Sequence, residues 1–151
     1  MPAQSSKKAV VLFRQTSRDL SRTSLRAYAE KLQSEVAAGR SFVCLLADDA
    51  ELRRLNRDFR KQDYATDVLS FPQAEGSGFL GEMAISLDRA RVQAREHDHD
   101  TAGEIRILML HGLLHLMGMD HEADSGEMGR AERKWRKRFG LPGSLIERVS
   151  A

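Results

Sequence analysis

The sequence predicts an α+β fold, a single domain spanning residues 1–151 in which a small mixed β-sheet packs with about five helices. Three observations lead there. Short apolar runs of strand length alternate with longer stretches whose apolar residues recur at helical spacing. Several of the connections between them are short enough for hairpins, which makes an all-parallel sheet unsuitable. No internal repeat, low-complexity block or linker divides the 151 residues.

In chain order, Ala9 to Phe13 reads as a first strand, preceded by a polar tail over residues 1–8 that is a candidate for disorder. Leu25, Tyr28, Ala29, Leu32 and Val36 keep a helical stripe over Thr23 to Ala38, and Gly39 closes it. Phe42 to Ala47 is continuously apolar, as suits a central strand covered on both faces. Asp48 and Glu51 have capping-box spacing and open a helix with the stripe Leu52, Leu55 and Phe59. Its other face carries Arg53, Arg54, Arg57, Arg60 and Lys61, which taken singly read as a solvated helix face. Val68 to Phe71 is a strand stopped by Pro72, Gln73 to Gly78 a loop, and Phe79 to Ser86 a further strand. Gly81 within it marks a bulge or a close backbone approach.

Ser86 caps a helix running to about Glu96, with Leu87, Ala90 and Ala94 inward. The His97-Asp98-His99-Asp100 run that follows reads as a surface loop without special role rather than a metal site. Thr101 and Glu104 form a capping box, and Ile105 to Met117 is apolar on nearly every side, so this helix belongs in the core. Asp124 and Glu127 resemble another capping pair. Met128, Ala131, Trp135 and Phe139 are the stripe of a last helix, ended by Gly140 and Pro142 and carrying the basic residues Arg130, Arg133, Lys134, Arg136, Lys137 and Arg138.

Composition narrows the classes. Hydrophobic residues make up 41% and charged residues 30%, an ordinary globular balance, and the net charge of +2 is too small to mark a general polyanion binder. Clustered arginines still leave room for a local basic face. Cys44 is the single cysteine, so no internal disulfide forms, and its apolar surroundings suggest a buried thiol. No stretch has the length of a secretory h-region or a membrane span, which points to a cytoplasmic protein.

The chemistry concentrates between His111 and His121. Residues four apart on a helix differ by about 40° in azimuth, so His111 and His115 stand on one face of the core helix. Gly118 sits where a left-handed residue ends a helix and turns the chain, bringing His121 back toward the same point. Three imidazoles and an open fourth position describe a catalytic zinc site, on the core helix and the loop after it. Nickel, copper and iron suit the same ligand type. Asp120 and Glu122 flank His121, and either is a candidate for orienting an imidazole or for a solvated acid.

The spacing His-x3-His-x2-Gly-x2-His is also that of the metzincin peptidases, where a Glu after the first His is the general base. Here that position is Gly112. The metal can instead serve phosphodiester cleavage if cations stabilise the developing charge.

Three motifs carry a resemblance to a known family. They are the run Leu55-Asn-Arg-Asp-Phe-Arg60-Lys-Gln-Asp-Tyr-Ala65-Thr-Asp-Val-Leu-Ser70-Phe-Pro72, the run Leu80-Gly-Glu-Met-Ala-Ile-Ser86, and the histidine stretch. Together, over about Phe42 to Phe139, they strongly resemble the bacterial YbeY family. The resemblance implies a single-domain, metal-dependent endoribonuclease that matures ribosomal RNA, including the 3′ end of the small-subunit RNA, and takes part in ribosome quality control. It implies one Zn2+ held by His111, His115 and His121, with His115 and Arg60 as the catalytic residues and Arg60 directed at RNA phosphate. Its partners would be precursor ribosomal RNA and the small subunit, with no membrane. Thr66, Asp67 and Ser70 fall in the family's Thr-Asp-Val-Leu-Ser-Phe-Pro motif, where a structural role is at least as fitting as substrate contact. Departures are Gln62 for the family's usual Lys, Ala65 for Pro, Glu82 for Asp and Met119 for Tyr; the first subtracts an RNA contact. Two rival readings are a metallopeptidase with a displaced base, and a non-catalytic assembly factor with a structural metal that docks on pre-ribosomes or on proteins such as the Era GTPase.

Overall fold

A computed structural model describes residues 7–15, 17–61, 66–74 and 78–142. The predicted residues 1–6 of the tail, Gln62, Ala65 and residues 75–77 of the loop after Pro72 lie outside that range. Four strands, β1 (Val10–Phe13), β2 (Ser41–Ala47), β3 (Val68–Pro72) and β4 (Phe79–Ser86), form one sheet in the order β1-β2-β4-β3. Its first three neighbours run parallel, and β3 pairs antiparallel with β4 along the second edge. Five helices accompany it: α1 (Arg22–Glu35), α2 (Asp49–Arg60), α3 (Leu87–Glu96), α4 (Thr101–Leu116) and α5 (Glu127–Phe139). The mixed α+β architecture expected from the pattern is the one observed, and no described helix is long and apolar enough to cross a membrane.

The two faces of the sheet follow the period-2 alternation of its central strands. On β2, Phe42, Cys44 and Leu46 face the main core with Met83 and Ile85 of β4, and α1 and α4 cover them with Leu25, Leu32, Leu108 and Leu113. Leu45 and Ala47 face the other way, with Leu69 and Ala84, toward Leu52 and Leu55 of α2. Cys44 is fully buried, and burial pushes its thiol well above the ordinary range, so it remains a small apolar group. At the centre of the main core lies α4, buried along nearly its whole length. Tyr28 of α1 ties to it by donating its hydroxyl to Arg106 O at 2.9 Å, and α5 closes the layer with Met128 buried and Trp135 and Phe139 packed against it.

Local rules explain where the sequence pattern misplaced an end. α1 stops at Glu35 rather than Ala38, because the left-handed Ala38 and Gly39 turn the chain and Gly39 N–H reaches back to Gln33 O at 2.8 Å. Pro72 is part of β3. In this antiparallel ladder the bonded positions are 67, 69, 71 and 73, as the bonds Ser86 N to Asp67 O and Gln73 N to Leu80 O show. Residues 68, 70 and 72 therefore turn their backbone groups to the open side, where a missing N–H removes no ladder bond. The cap of α4 is Asp100, whose carboxylate accepts from Gly103 N at 2.8 Å, one residue before the predicted Thr101. The His-Asp-His-Asp segment is a surface connection as expected, with His97, Asp98 and Asp100 exposed, but its His99 Nε2 meets the fully buried Glu104 at 2.6 Å. At α5 the cap residue is Gly126. Asp124 still works from outside the helix by accepting from Gly126 N and Met128 N at 2.8 and 2.9 Å, while Glu127 accepts from Ser125 N.

Phe59 departs most from expectation. It continues the apolar stripe of α2, yet it is 66% exposed.

Gly81 makes the close approach that an isolated glycine in a strand suggests. Its φ is +136°, and a Cβ there would fall against Phe71 O and 2.9 Å from Gln73 N. Both obstacles are backbone, so Gly81→Ala should destabilise the protein by about 3 kcal/mol, read as a lower urea midpoint with an unchanged slope.

Candidate metal centre

The end of α4 builds the site. Gly118, at φ +94°, is the left-handed residue of a Schellman turn: Gly118 N–H bonds His115 O at 2.9 Å and Met119 N–H bonds Leu114 O at 3.0 Å. The same turn sets Met119 O where His115 Nδ1 donates to it at 3.0 Å. Asp120 then nucleates a second turn, its backbone carbonyl accepting from Ala123 N and Asp124 N and its carboxylate from Glu122 N. His121 begins that turn. His111 lies one helical turn above His115, is buried, and directs Nδ1 to the carboxylate of Glu132 on α5.

These contacts settle which nitrogens face inward. With Nδ1 of each ring committed as a donor, His111 and His115 turn their Nε2 lone pairs toward each other, 3.1 Å apart. Two lone pairs at that distance repel unless a cation lies between them. Tetrahedral ligands at the usual zinc–imidazole bond length are separated by about 3.3 Å, close to what is found. One nitrogen from each of His111, His115 and His121 lies within 4.8 Å of the others. It is the group suited to a metal ion among the described residues. Burial and the neighbouring His111 hold the imidazolium form of His115 unfavourable, so its pKa is lowered and it is neutral at pH 7, the form that ligates a metal.

Glu132 was not anticipated. The carboxylate behind the metal-facing histidine is neither Asp120, which serves its own turn, nor Glu122, which is exposed, but a buried acid in the most basic helix of the chain. The signal was present: Glu132 is four residues after Met128 and therefore on the inward stripe of α5. Asp124, held below the usual carboxylate range by the N–H groups of Met128 and Gly126, fixes the start of α5 to the His121 turn. The ring on α4 and its carboxylate on α5 are thereby positioned by one continuous segment.

Gly112 has a packing reason. A Cβ there would lie 2.9 Å from Met83 Sδ, 3.3 Å from Val68 Cγ2 and 3.4 Å from Ser70 Oγ. The residue faces the sheet, away from the imidazoles, and Ser70 Oγ donates to its carbonyl at 3.1 Å. A glutamate base of the peptidase type has no room at this position. Ser70 thus has the structural role, and Asp67 likewise accepts from Gln93 Nε2 at 3.2 Å.

Arg60, at the exposed end of α2, donates Nη1 to Ser70 O at 3.1 Å. Two hydrogen bonds through one serine therefore join it to Gly112, the neighbour of His111. Several other arginines of the two basic helices are partly neutralised. Arg54 meets Glu51 and Asp58, Arg57 meets Asp58 at 3.5 Å, and Arg138 meets Glu35 at 2.7 Å.

The fold and the site together define a class: small α+β proteins with a three-histidine group suited to one divalent transition-metal ion. Residues 3–140 match the family model described as endoribonuclease YbeY. Relatives bearing that name include one from Solibacter usitatus, 57% identical over 93% of this chain and 95% of its own, and one from Koribacter versatilis, 42% identical over 93% and 92%. The solution structure of TM1509 from Thermotoga maritima is similar with a TM-score of 0.60 and 28% identity, covering 85% of this chain and 86% of that one. The chain belongs to the YbeY endoribonuclease family.

Removing the carboxylate's charge while keeping its shape tests the orientation of His111. Glu132→Gln should weaken zinc binding about 10- to 100-fold in competition with a chromophoric chelator, with little change in far-UV circular dichroism. An unchanged affinity would remove Glu132 from the site.

Proposed function

We propose that this chain is a single-strand-specific, metal-dependent endoribonuclease that processes precursor ribosomal RNA, with the 3′ end of the small-subunit RNA as its target and ribosome quality control as its setting. The observation that carries the reading is the three-imidazole group together with Arg60, which Ser70 ties to Gly112, the residue after His111. His111, His115 and His121 would hold the ion, zinc by ligand type. A bound divalent ion supplies Lewis-acid polarisation of a phosphoryl oxygen. The chain's own residues do the rest. Glu132 and Met119 O hold the rings in the ligating tautomer. Arg60 is fixed through one of its five donors, and a phosphate oxygen pair would take others of the fork. Fixing the guanidinium before substrate arrives lowers the ordering cost of binding and places positive charge where the phosphate becomes more negative. Family membership supports the choice of RNA, since the relatives are named endoribonucleases. The peptidase alternative loses its support at Gly112, where the sheet occupies the space a general base would need.

The test compares the zinc-loaded protein with its His115→Ala, Arg60→Lys and Arg60→Ala variants on precursor ribosomal RNA and on casein. RNA cleavage should fall by at least about 100-fold in His115→Ala and Arg60→Ala and by less in Arg60→Lys, which keeps charge but loses the fork. Casein should stay intact. Casein cleavage would overturn the nuclease reading. If neither RNA nor casein is cut while the folded variants still complement cells lacking the protein, the reading passes to an assembly factor, docked on pre-ribosomes or on a protein such as the Era GTPase.

A further inference from the structure

Phe59 precedes Arg60 at the end of α2 and belongs to neither core cluster. Leu52 of the same helical stripe is fully buried, but Phe59 is 66% exposed, the most exposed of the large apolar side chains among the described residues. Its ring is nevertheless held. Phe71 meets it edge to face, with centroids 5.9 Å apart and planes at 71°. That contact supports one side of the ring without covering it.

The placement is informative. Phe71 follows Ser70 on β3, and Ser70 O anchors Arg60, the residue after Phe59. An exposed aromatic face and a fixed guanidinium thus share one support, on the edge strand that also carries Ser70 against Gly112 beside His111. Lys61 extends the positive charge. A lone ring of this size is far below the area of about 800 Å² per partner that a stable protein interface needs. A ring next to a phosphate-binding cation does match one repeat of a nucleic acid strand, one base and one phosphate.

We propose that Phe59 is a stacking platform for an unpaired base adjacent to the phosphate held by Arg60, an assignment that rests on the endoribonuclease reading. A base inside a duplex already has neighbours on both faces, so a platform of this kind accepts a base only from a single strand. Phe59 is then a positioning and specificity residue: it selects unpaired RNA and sets which phosphate reaches the imidazoles.

The experiment uses a fluorescein-labelled single-stranded RNA made cleavage-resistant by 2′-O-methyl groups, its binding to the zinc-loaded protein followed by anisotropy. Phe59→Ala and Phe59→Leu should bind about 5- to 150-fold more weakly, the range of one stacked base, while Phe59→Trp stays within about twofold of the parent. In a set of RNAs each lacking one base, one position should weaken the parent protein by the same factor and weaken Phe59→Ala no further. Equal binding by the parent, Phe59→Ala and Phe59→Leu, with the parent still cleaving RNA, overturns the platform and leaves the nuclease intact. Equal losses in Phe59→Leu and Phe59→Trp overturn it as well, because the ring's surface would then not matter. A parent protein that neither binds nor cleaves RNA overturns both readings.

Discussion

The contact on which the rest depends is the approach of α4 to the sheet at Gly112. Hydrogen is the only side chain that fits between this helix and Met83, Val68 and Ser70 without displacing them. Close packing there fixes both the height and the rotation of α4, and the two histidines one residue and three residues away inherit that register. A larger residue at 112 would require Met83, Val68 or Ser70 to shift. The bond from Ser70 to the Gly112 carbonyl extends the constraint outward to Arg60. Core packing at Gly112 and the anchoring of Arg60 are therefore linked through Ser70.

Electrostatics explains why such rigidity is useful. The helix brings two lone pairs together at 3.1 Å, an arrangement that is costly without a positive charge between them and that a softer scaffold would relax by rotating a ring. Glu132 and Met119 O prevent that rotation. One anchor is a side chain on another helix and the other is backbone. The Met119 side chain is not part of the anchor, which makes intelligible why a methionine can stand where related proteins often have tyrosine.

Much of this was legible in the sequence, for definable reasons. The histidine spacing, Gly118 and the apolar surround of α4 are local patterns, and each survives folding because it concerns one helix and its end. Gly81 was legible because a glycine inside a strand has few explanations. What escaped depended on partners distant in sequence. Glu132 looks like one more charge in a basic run until α5 is seen lying against α4. Phe59 looks like core because it keeps the stripe of α2, yet at this end of the helix Phe71 of the edge strand meets the ring without covering it. The α4 cap was misplaced by one residue because Asp100 and Thr101 are both good cap formers, and only the burial of Glu104 against His99 distinguishes them.

The open side of β3 carries a consequence of a different kind. An edge strand offers unpaired backbone groups on which another chain can grow a sheet. Of the three residues that turn outward here, Pro72 has no N–H to offer and Ser70 has its carbonyl occupied by Arg60. Val68 alone keeps both groups. Few consecutive bonds are available to an incoming strand, so the border of the sheet nearest the histidines resists templated aggregation. Arg60, by taking the Ser70 carbonyl, removes one of the acceptors this edge would otherwise offer a second copy of the chain.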